Sequence, residues 1–519
     1  MTTGAIRRDR APSASPLLLF AGAVVAGVTL IPLGWVVWST AQLGLGDAVD
    51  FLARPRVGEL LWNTVRLLVA TVALSAVLGV GCAWLVERSG VRARGLWHGL
   101  MAAPLAVPAF VNGYGWVSTT HAVQSYPGAV MVVSLSYYPL VYLPTVATLR
   151  RVDPGLEEVA AALGRKPWGV FFRVVLPTIS PGVLGGCLLV GLHVLGEYGA
   201  LQLLNYPTLT TSILDQFRST FNGPAAALLA AVLAAFCLVL AVLELYAAGR
   251  RRRARVGAGA PRTGAATSRS PWPARVGGVV LPAVALLALA VPLGSLVRWM
   301  VRGTSTSFPA GDLGAATLST AGLALAAGVL AAVAAAPLAL LAVRHRGWPA
   351  MFLERSTYIA SSLPGIVVAL ALVTVTIHLL PALYQTLPVL VVGYVILFLP
   401  RAVVSLRSTL ELAPPVLEDV ARSLGCGSLA TARRVTLPLV LPGVTSGVAL
   451  VALAAATELT ATLLLAPIGV TTLSTEFWAR ASAVEYGAAA PYALLLVVLS
   501  VPATWLLSRL ATGETRALR

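Results

Sequence analysis

Residues 156–182 read LEEVAAALGRKPWGVFFRVVLPTISPG, and residues 417–443 read LEDVARSLGCGSLATARRVTLPLVLPG. The second stretch is the first displaced by 261 positions without a gap, and from Pro154 to Glu197 nineteen of 44 positions are identical. Upstream the displacement is 256, which matches Thr64 with Thr320, Arg88 with Arg344 and Pro108 with Pro364. The change of five is a difference in loop length. The chain is therefore a tandem duplication. Parallel repeats of this kind relate two halves by a pseudo-twofold axis along the membrane normal, a pattern found in transporters.

Each copy of the stretch predicts two short helices at an angle. Asp153 is placed to cap the first, with Pro154 at the first helical position and Glu157 and Glu158 in the first turn, where the helix dipole favours them. Leu163-Gly164 ends that helix, because glycine readily takes the left-handed conformation just past a helix end. The second short helix is expected to break at Leu176-Pro177 and Pro181-Gly182 before the next apolar run. Arg165, Lys166 and Arg173 make the segment basic. An ordinary solvated loop has no reason to keep Gly and Leu-Pro twelve residues apart in both copies. The segment reads as a docking knob.

The surroundings of the two knobs are apolar. Of 519 residues 58% are hydrophobic and 11% charged, and the mean hydropathy is +0.85. A soluble domain carries about a quarter charged residues, so the solvent of this chain is a bilayer. A helical crossing takes about 20 apolar residues. Twelve runs qualify: 17–40, 60–85, 97–118, 129–149, 182–204, 224–247, 276–298, 314–343, 356–380, 386–408, 443–466 and 487–509. The expected fold is all-α and polytopic, with twelve transmembrane helices in two tandem six-helix repeats. Its parts are a tail (1–16), a first half (17–248), a basic linker (249–275), a second half (276–510) and a tail (511–519). The first run is too long for a signal peptide and reads as an uncleaved span.

Charge sets the orientation. Of the 37 Lys and Arg, 29 fall on the side of the two tails and the linker, against six on the other side. That places both termini, the linker and the knobs in the cytoplasm. The net charge of +17 therefore belongs to inter-span loops and implies no nucleic-acid partner. Lys166 is the only lysine and follows Arg165, so the chain has no phosphate-binding Gly-Lys-Ser/Thr loop. Cys82, Cys187, Cys237 and Cys426 are scattered and read as small packing residues. No cluster of nucleophile, base or metal ligands supports an enzyme, a resident metal or a cofactor.

The spacing Glu/Asp-x-Ala-x-x-x-Gly, with Leu-Pro twelve residues after the glycine, resembles the EAA loop of binding-protein-dependent ABC importer permeases of the type I fold. The matching residues are Glu158, Ala160, Gly164, Leu176 and Pro177, then Asp419, Ala421, Gly425, Leu437 and Pro438. Val159 and Val420 stand where the family usually has alanine, and Asp419 replaces glutamate. The resemblance implies that these loops, with Glu157, Arg165 and Lys166 in the first and Glu418, Arg433 and Arg434 in the second, dock on two copies of a cytoplasmic ATPase. It also implies an extracytoplasmic substrate-binding protein, and family domains over about 60–247 and 314–509. Fused two-half permeases of this family import ferric iron, thiamine, phosphonates or polyamines. The segments 103–116 (APLAVPAFVNGYGW), 137–150 (YYPLVYLPTVATLR), 195–217 and 457–478 look most like the ferric-ion group. That group often has Asp-Phe-Gly at Glu197-Tyr198-Gly199 and Lys-Glu-Leu-Pro at Thr457-Glu458-Leu459-Thr460. A rival of another class is a proton-coupled secondary transporter, which would need no matched knobs.

Glu197 and Glu458 occupy equivalent repeat positions inside apolar runs, where a carboxylate costs about 2.5–3.5 kcal/mol at the bilayer centre. They are candidates for the translocation pathway, about 22 Å along the helix from Gly182 and Gly443. The other reading is structural, with Arg66, Arg401 or backbone as partner. His193 and His378 lack partners at ligand spacing and are expected to pack. Tyr137, Tyr138 and Tyr142 have phenolate chemistry suited to ferric iron, but tyrosine is common at membrane interfaces.

Overall fold

The computed structural model describes residues 15–42, 44–218, 223–251, 271–303, 308–345 and 347–512. The N-terminal tail but for its last two residues, most of the linker and most of the C-terminal tail lie outside these. The described residues are helical, with no strand among them.

Among the described residues eight helices are long and apolar enough to cross a membrane: α1 (Pro16–Gln42), α2 (Pro55–Arg88), α8 (Trp168–Gly196), α11 (Gly223–Arg251), α12 (Ala274–Arg302), α13 (Ala310–Arg344), α16 (Leu387–Leu412) and α18 (Ala432–Ala456). Three further crossings are bent pairs. They are α3 (Arg94–Ala106) with α4 (Ala109–Val117) at 89°, α5 (Tyr126–Tyr137) with α6 (Pro139–Leu149) at 43°, and α14 (Trp348–Ala360) with α15 (Gly365–Leu379) at 102°. Between the spans lie α7 (Pro154–Ala162), α9 (Gly199–Leu203), α10 (Leu209–Arg218), α17 (Pro415–Ser423), α19 (Thr460–Leu465) and α20 (Leu473–Ser482). The last apolar run becomes α21 (Tyr486–Thr512), a helix of 27 residues. With each bent pair taken as one, eleven spans among the described residues meet the length and hydropathy of a crossing.

Proline decides where spans break. Pro108 and Pro364 stand between the arms of the two sharpest bends, with ψ 142° and 148°. Each lacks an N–H and pushes the preceding residue out of the helical region, so the third span of each half cannot run straight. The runs 97–118 and 356–380 are therefore corrected to broken spans.

Leu176-Pro177 and Leu437-Pro438, expected to break a helix, do not. A π-turn at Phe171–Val175, and another at Ala432–Thr436, precedes each dipeptide and carries the helix through it. A third π-turn, Leu286–Ala290, precedes Val291-Pro292 in the same way. The wider turn shifts the carbonyl that a proline ring would otherwise strike, and the missing N–H leaves no gap in the ladder. Pro181 and Pro442 also lie inside their helices. The expected spans 182–204 and 443–466 therefore start earlier and end at Gly196 and Ala456.

Each half has a three-helix core of equivalent members, α2–α6–α8 and α13–α16–α18. The helices approach closely at matched positions. A Cβ on Gly182 would lie 2.9 Å from the Pro144 carbonyl oxygen, and one on Gly443 would lie 2.7 Å from that of Ser405. The aligned threonines also act alike. Thr64 Oγ1 accepts the Leu209 N–H at 3.0 Å and Thr320 Oγ1 the Leu473 N–H at 2.9 Å, fixing the starts of α10 and α20. The leading helices cross over between halves. α1 lies against α13, α14 and α15, while α12 lies against α2 and α4. Gly115 permits the second contact, since a Cβ there would sit 2.6 Å from Pro292 Cα.

Candidate functional site

The two knobs are built alike. Asp153 Oδ1 accepts the Gly155 N–H at 2.9 Å at the start of α7. At its end Gly164 has φ 77°, and Gly425 has φ 85° at the end of α17. The Arg165 N–H reaches back to the Ala160 carbonyl (3.2 Å), and that of Cys426 to the Ala421 carbonyl (3.0 Å). With Gly164 N–H on Ala161 O and Gly425 N–H on Arg422 O, both at 3.0 Å, each helix closes in a Schellman motif. Ala160 and Ala421 are buried beneath these turns. The outer surface presents Leu163 and Leu424, 79% and 78% exposed, beside exposed Val159 and Val420. Glu158, Asp419, Arg165, Lys166, Arg433 and Arg434 are exposed around them, as are Pro177, Leu437 and Pro438, with Leu176 half-buried.

Ion pairs that the sequence reading missed tie both knobs to the spans. Arg88, at the end of α2, pairs with Glu157 at 2.9 Å, and Arg344, at the end of α13, pairs with Glu418 at 3.0 Å. Each guanidinium also donates to the end of the fourth span of its half, at Leu149 O (3.3 Å) or just beyond it at Ala413 O (3.1 Å). The repeat alignment held the signal, because Arg88 matches Arg344 and Glu157 matches Glu418. The other charges on the side of the knobs differ between halves. Glu87 binds Arg94, Arg150 (2.6 Å) and His98 (3.1 Å) in the first, whereas Arg407 binds Glu354 (2.6 Å) and Glu411 (2.8 Å) in the second.

A cavity of about 1460 Å³ lies between the halves. Its lining runs from His345 and Gly347, where α13 ends and α14 begins on the side of the knobs, to Glu197, Glu458 and Pro364 at the far end. Both carboxylates are thus brought together in one space. Neither sits within a regular helix: Glu197 is extended (φ −77°, ψ 116°) between α8 and α9, and Glu458 lies between α18 and α19. Each caps the short helix that follows, with the Ala200 N–H on Glu197 Oε1 at 2.9 Å and the Ala461 N–H on Glu458 Oε1 at 3.1 Å. The Tyr137 hydroxyl donates to Glu197 Oε2. Arg401 lies over the Phe398 ring at 5.0 Å, lines the cavity and is within electrostatic reach of Glu458. Arg66 is not a partner of either carboxylate. It donates to the Tyr206 hydroxyl at 2.6 Å and stacks on Tyr126.

The histidines do not pack as expected. His193 faces the cavity beside Tyr137, and His378 is exposed at the end of α15. Tyr138 and Tyr142 are buried in the first-half core, Tyr142 bonded to His98 at 2.7 Å, and do not reach the cavity. All four cysteines are free thiols.

Beyond the carboxylates the cavity is shut by aromatic rings from both halves. Phe477 of α20 meets Phe110 and Tyr114 of α4, each at 5.4 Å, and Tyr198 meets Trp478 at 5.3 Å. The Tyr114 hydroxyl closes on the Tyr486 carbonyl at 2.6 Å.

Two repeated helical halves around a shared cavity, each with a two-helix elbow, define a duplicated membrane permease. Comparison with known proteins finds the domain described as binding-protein-dependent transport system inner membrane component twice, over residues 75–253 and 324–514. Over 504 residues the chain is 36% identical to the Fe(3+)-transport system permease protein FbpB 2 of Haemophilus influenzae, covering 96% of this chain and 99% of that one. It is 29% identical over 242 residues to the sulfate transport system permease protein CysW of Escherichia coli, covering 42% of this chain and 82% of that one. With the molybdenum transport system permease protein ModB of Escherichia coli it shares 28% over 207 residues, covering 36% and 90%. The chain belongs to the family of binding-protein-dependent inner-membrane transport components, the permeases of ABC importers. That membership sets aside the proton-coupled secondary transporter.

Proposed function

We propose that this permease translocates ferric iron, received from an extracytoplasmic binding protein and driven by two copies of an ATPase on the elbows. The observation that carries the coupling is the duplication itself. Both elbows keep the same capped turn, the same exposed leucine and the same arginine–glutamate tie to the second span. Two such surfaces call for two ATPase subunits. The cargo reading rests on similarity along nearly the whole chain to a permease named for Fe(3+) transport, and on two carboxylates in the cavity. The lining as a whole is balanced, with Glu197, Glu354 and Glu458 against Arg355, Arg401 and Arg407, so attraction of a trivalent cation would be local to the carboxylates at the far end. Both termini and the linker are placed in the cytoplasm by the asymmetry of basic residues, and the halves are bounded at 17–248 and 276–510. The test is reconstitution of the chain with its ATPase and binding protein in proteoliposomes. ATP-dependent uptake of radiolabelled ferric iron is expected. Failure of any ATPase to co-purify would remove the coupling reading, and uptake of thiamine, a polyamine or a phosphonate instead of iron would replace the cargo.

A further inference from the structure

The two cavity walls are not alike at the depth of the carboxylates. By the repeat alignment Tyr137 corresponds to Phe398, His193 to Ala454 and Glu197 to Glu458, while Arg401 corresponds to Leu140. The first half therefore offers a phenol, an imidazole and a carboxylate. The second offers a carboxylate with a guanidinium close by.

The first-half groups are arranged for more than packing. His193 Nδ1 lies 2.8 Å from the Leu189 carbonyl, an acceptor only, so Nδ1 carries the proton and Nε2 keeps its lone pair. A backbone acceptor on one ring nitrogen is the usual way of fixing a histidine whose other nitrogen binds a metal. The imidazole is exposed to the cavity, with its ring centroid 5.2 Å from that of Tyr137. Tyr137 also lines the cavity and donates its hydroxyl proton to Glu197, whose other oxygen is held by the Ala200 N–H.

We infer that Tyr137 Oη and His193 Nε2 form a one-walled way-station that ligates ferric iron in transit, with Glu197 as the reversible acceptor of the phenolic proton. The inference rests on the ferric cargo reading. As the ion arrives the Tyr137 O–H bond breaks, its proton moves to Glu197 Oε2 and an O–Fe bond forms. As the ion leaves, Glu197 returns the proton and the phenol is restored. Charge and atoms balance at both steps, and iron stays ferric. Phenolate and imidazole both suit iron. Confining them to one wall, with Arg401 across the cavity, keeps the ion from being caged. A conducting site must bind weakly enough to release.

The test uses the full chain with its ATPase in lipid nanodiscs, titrated with ferric nitrilotriacetate, and uptake in proteoliposomes. A tyrosinate–iron(III) bond gives a visible charge-transfer absorption that no packing role produces. The wild type is expected to show this band. Tyr137→Phe, which keeps the ring against His193, should abolish it, and Glu197→Gln should weaken iron binding by about tenfold or more. Tyr358→Phe, on the opposite wall, should leave it unchanged. Iron uptake should fall in the first two variants while ATP hydrolysis persists. A wild type that takes up iron without the band, or a band that survives in Tyr137→Phe, overturns the way-station alone. A wild type that takes up no iron overturns the cargo reading with it.

Discussion

Gly164 and Gly425 hold left-handed backbone, yet a Cβ built on either would meet nothing within 4 Å. Any effect of a side chain there is therefore backbone strain and not a clash. A β-branched residue would cost roughly 1–2 kcal/mol at each turn, enough to turn the elbow without unfolding a chain of this size. Gly164→Val with Gly425→Val is expected to reach the membrane but to lose coupling, so that uptake collapses while residual ATP hydrolysis remains. Wild-type uptake would remove the docking role. The carboxylates need a different substitution, because each caps a helix as well as lining the cavity. The carbonyl of Gln still accepts the Ala200 or Ala461 N–H, so Glu197→Gln with Glu458→Gln deletes charge and keeps the cap. Normal expression with steeply reduced uptake is expected, and unchanged uptake would leave the carboxylates purely structural. Both positions were legible from identity between the repeats. The bond from Tyr137 was not, since its equivalent is Phe398 and the duplication carries no signal there.

At the scale of elements, the elbow helix moves with a span only if something rigid joins them. Arg88 and Glu157 are 5% and 17% exposed, and Arg344 and Glu418 are 15% and 17% exposed. Such pairs fall between surface pairs of about 0–1 kcal/mol and buried pairs, where deleting one partner costs about 3–5 kcal/mol. Arg88→Glu with Arg344→Glu should therefore raise the ATP hydrolysed per ion transported, and adding Glu157→Arg with Glu418→Arg should recover most of the coupling. If the fourfold charge reversal recovers nothing although the protein is folded, the struts are not the transmission path. The spacing of Gly and Leu-Pro was readable from sequence because capping and turn chemistry are local. The passage of α8 through Pro177 was not. It depends on a π-turn, and a proline in a helical pattern reads as a break unless the ladder has already been widened. The breaks at Pro108 and Pro364 follow the ordinary rule, but hydropathy runs of uninterrupted length hid them.

At the scale of the whole molecule, hydropathy was enough for a duplicated membrane chain, and the bias of basic residues predicts one orientation, because the bilayer punishes any other arrangement of apolar runs and arginine. Single cysteines placed in 256–270, after replacement of the four native ones, should accordingly be labelled only once cells are permeabilised, and labelling of intact cells would invert the topology. What the pattern of spans could not show is that the halves exchange their leading helices, since nothing in an apolar face says which apolar face covers it. α1 is seated on α13, α14 and α15, and Gly22 admits it so closely that a Cβ there would lie 2.8 Å from Leu341 Cδ1. α12 in turn is seated on α4 through the Gly115–Pro292 contact, and Ser118 and Ser295 share a hydrogen bond of 2.7 Å across the same boundary. A chain cut within the linker would therefore yield two pieces, each holding a helix that belongs on the other and lacking one that belongs on itself. Each piece expressed alone should be lost from the membrane or aggregate on extraction, whereas the two expressed together should co-purify and restore uptake. A second piece that extracts as a stable, monodisperse protein without the first would show that the exchange contributes little to holding the halves around their cavity.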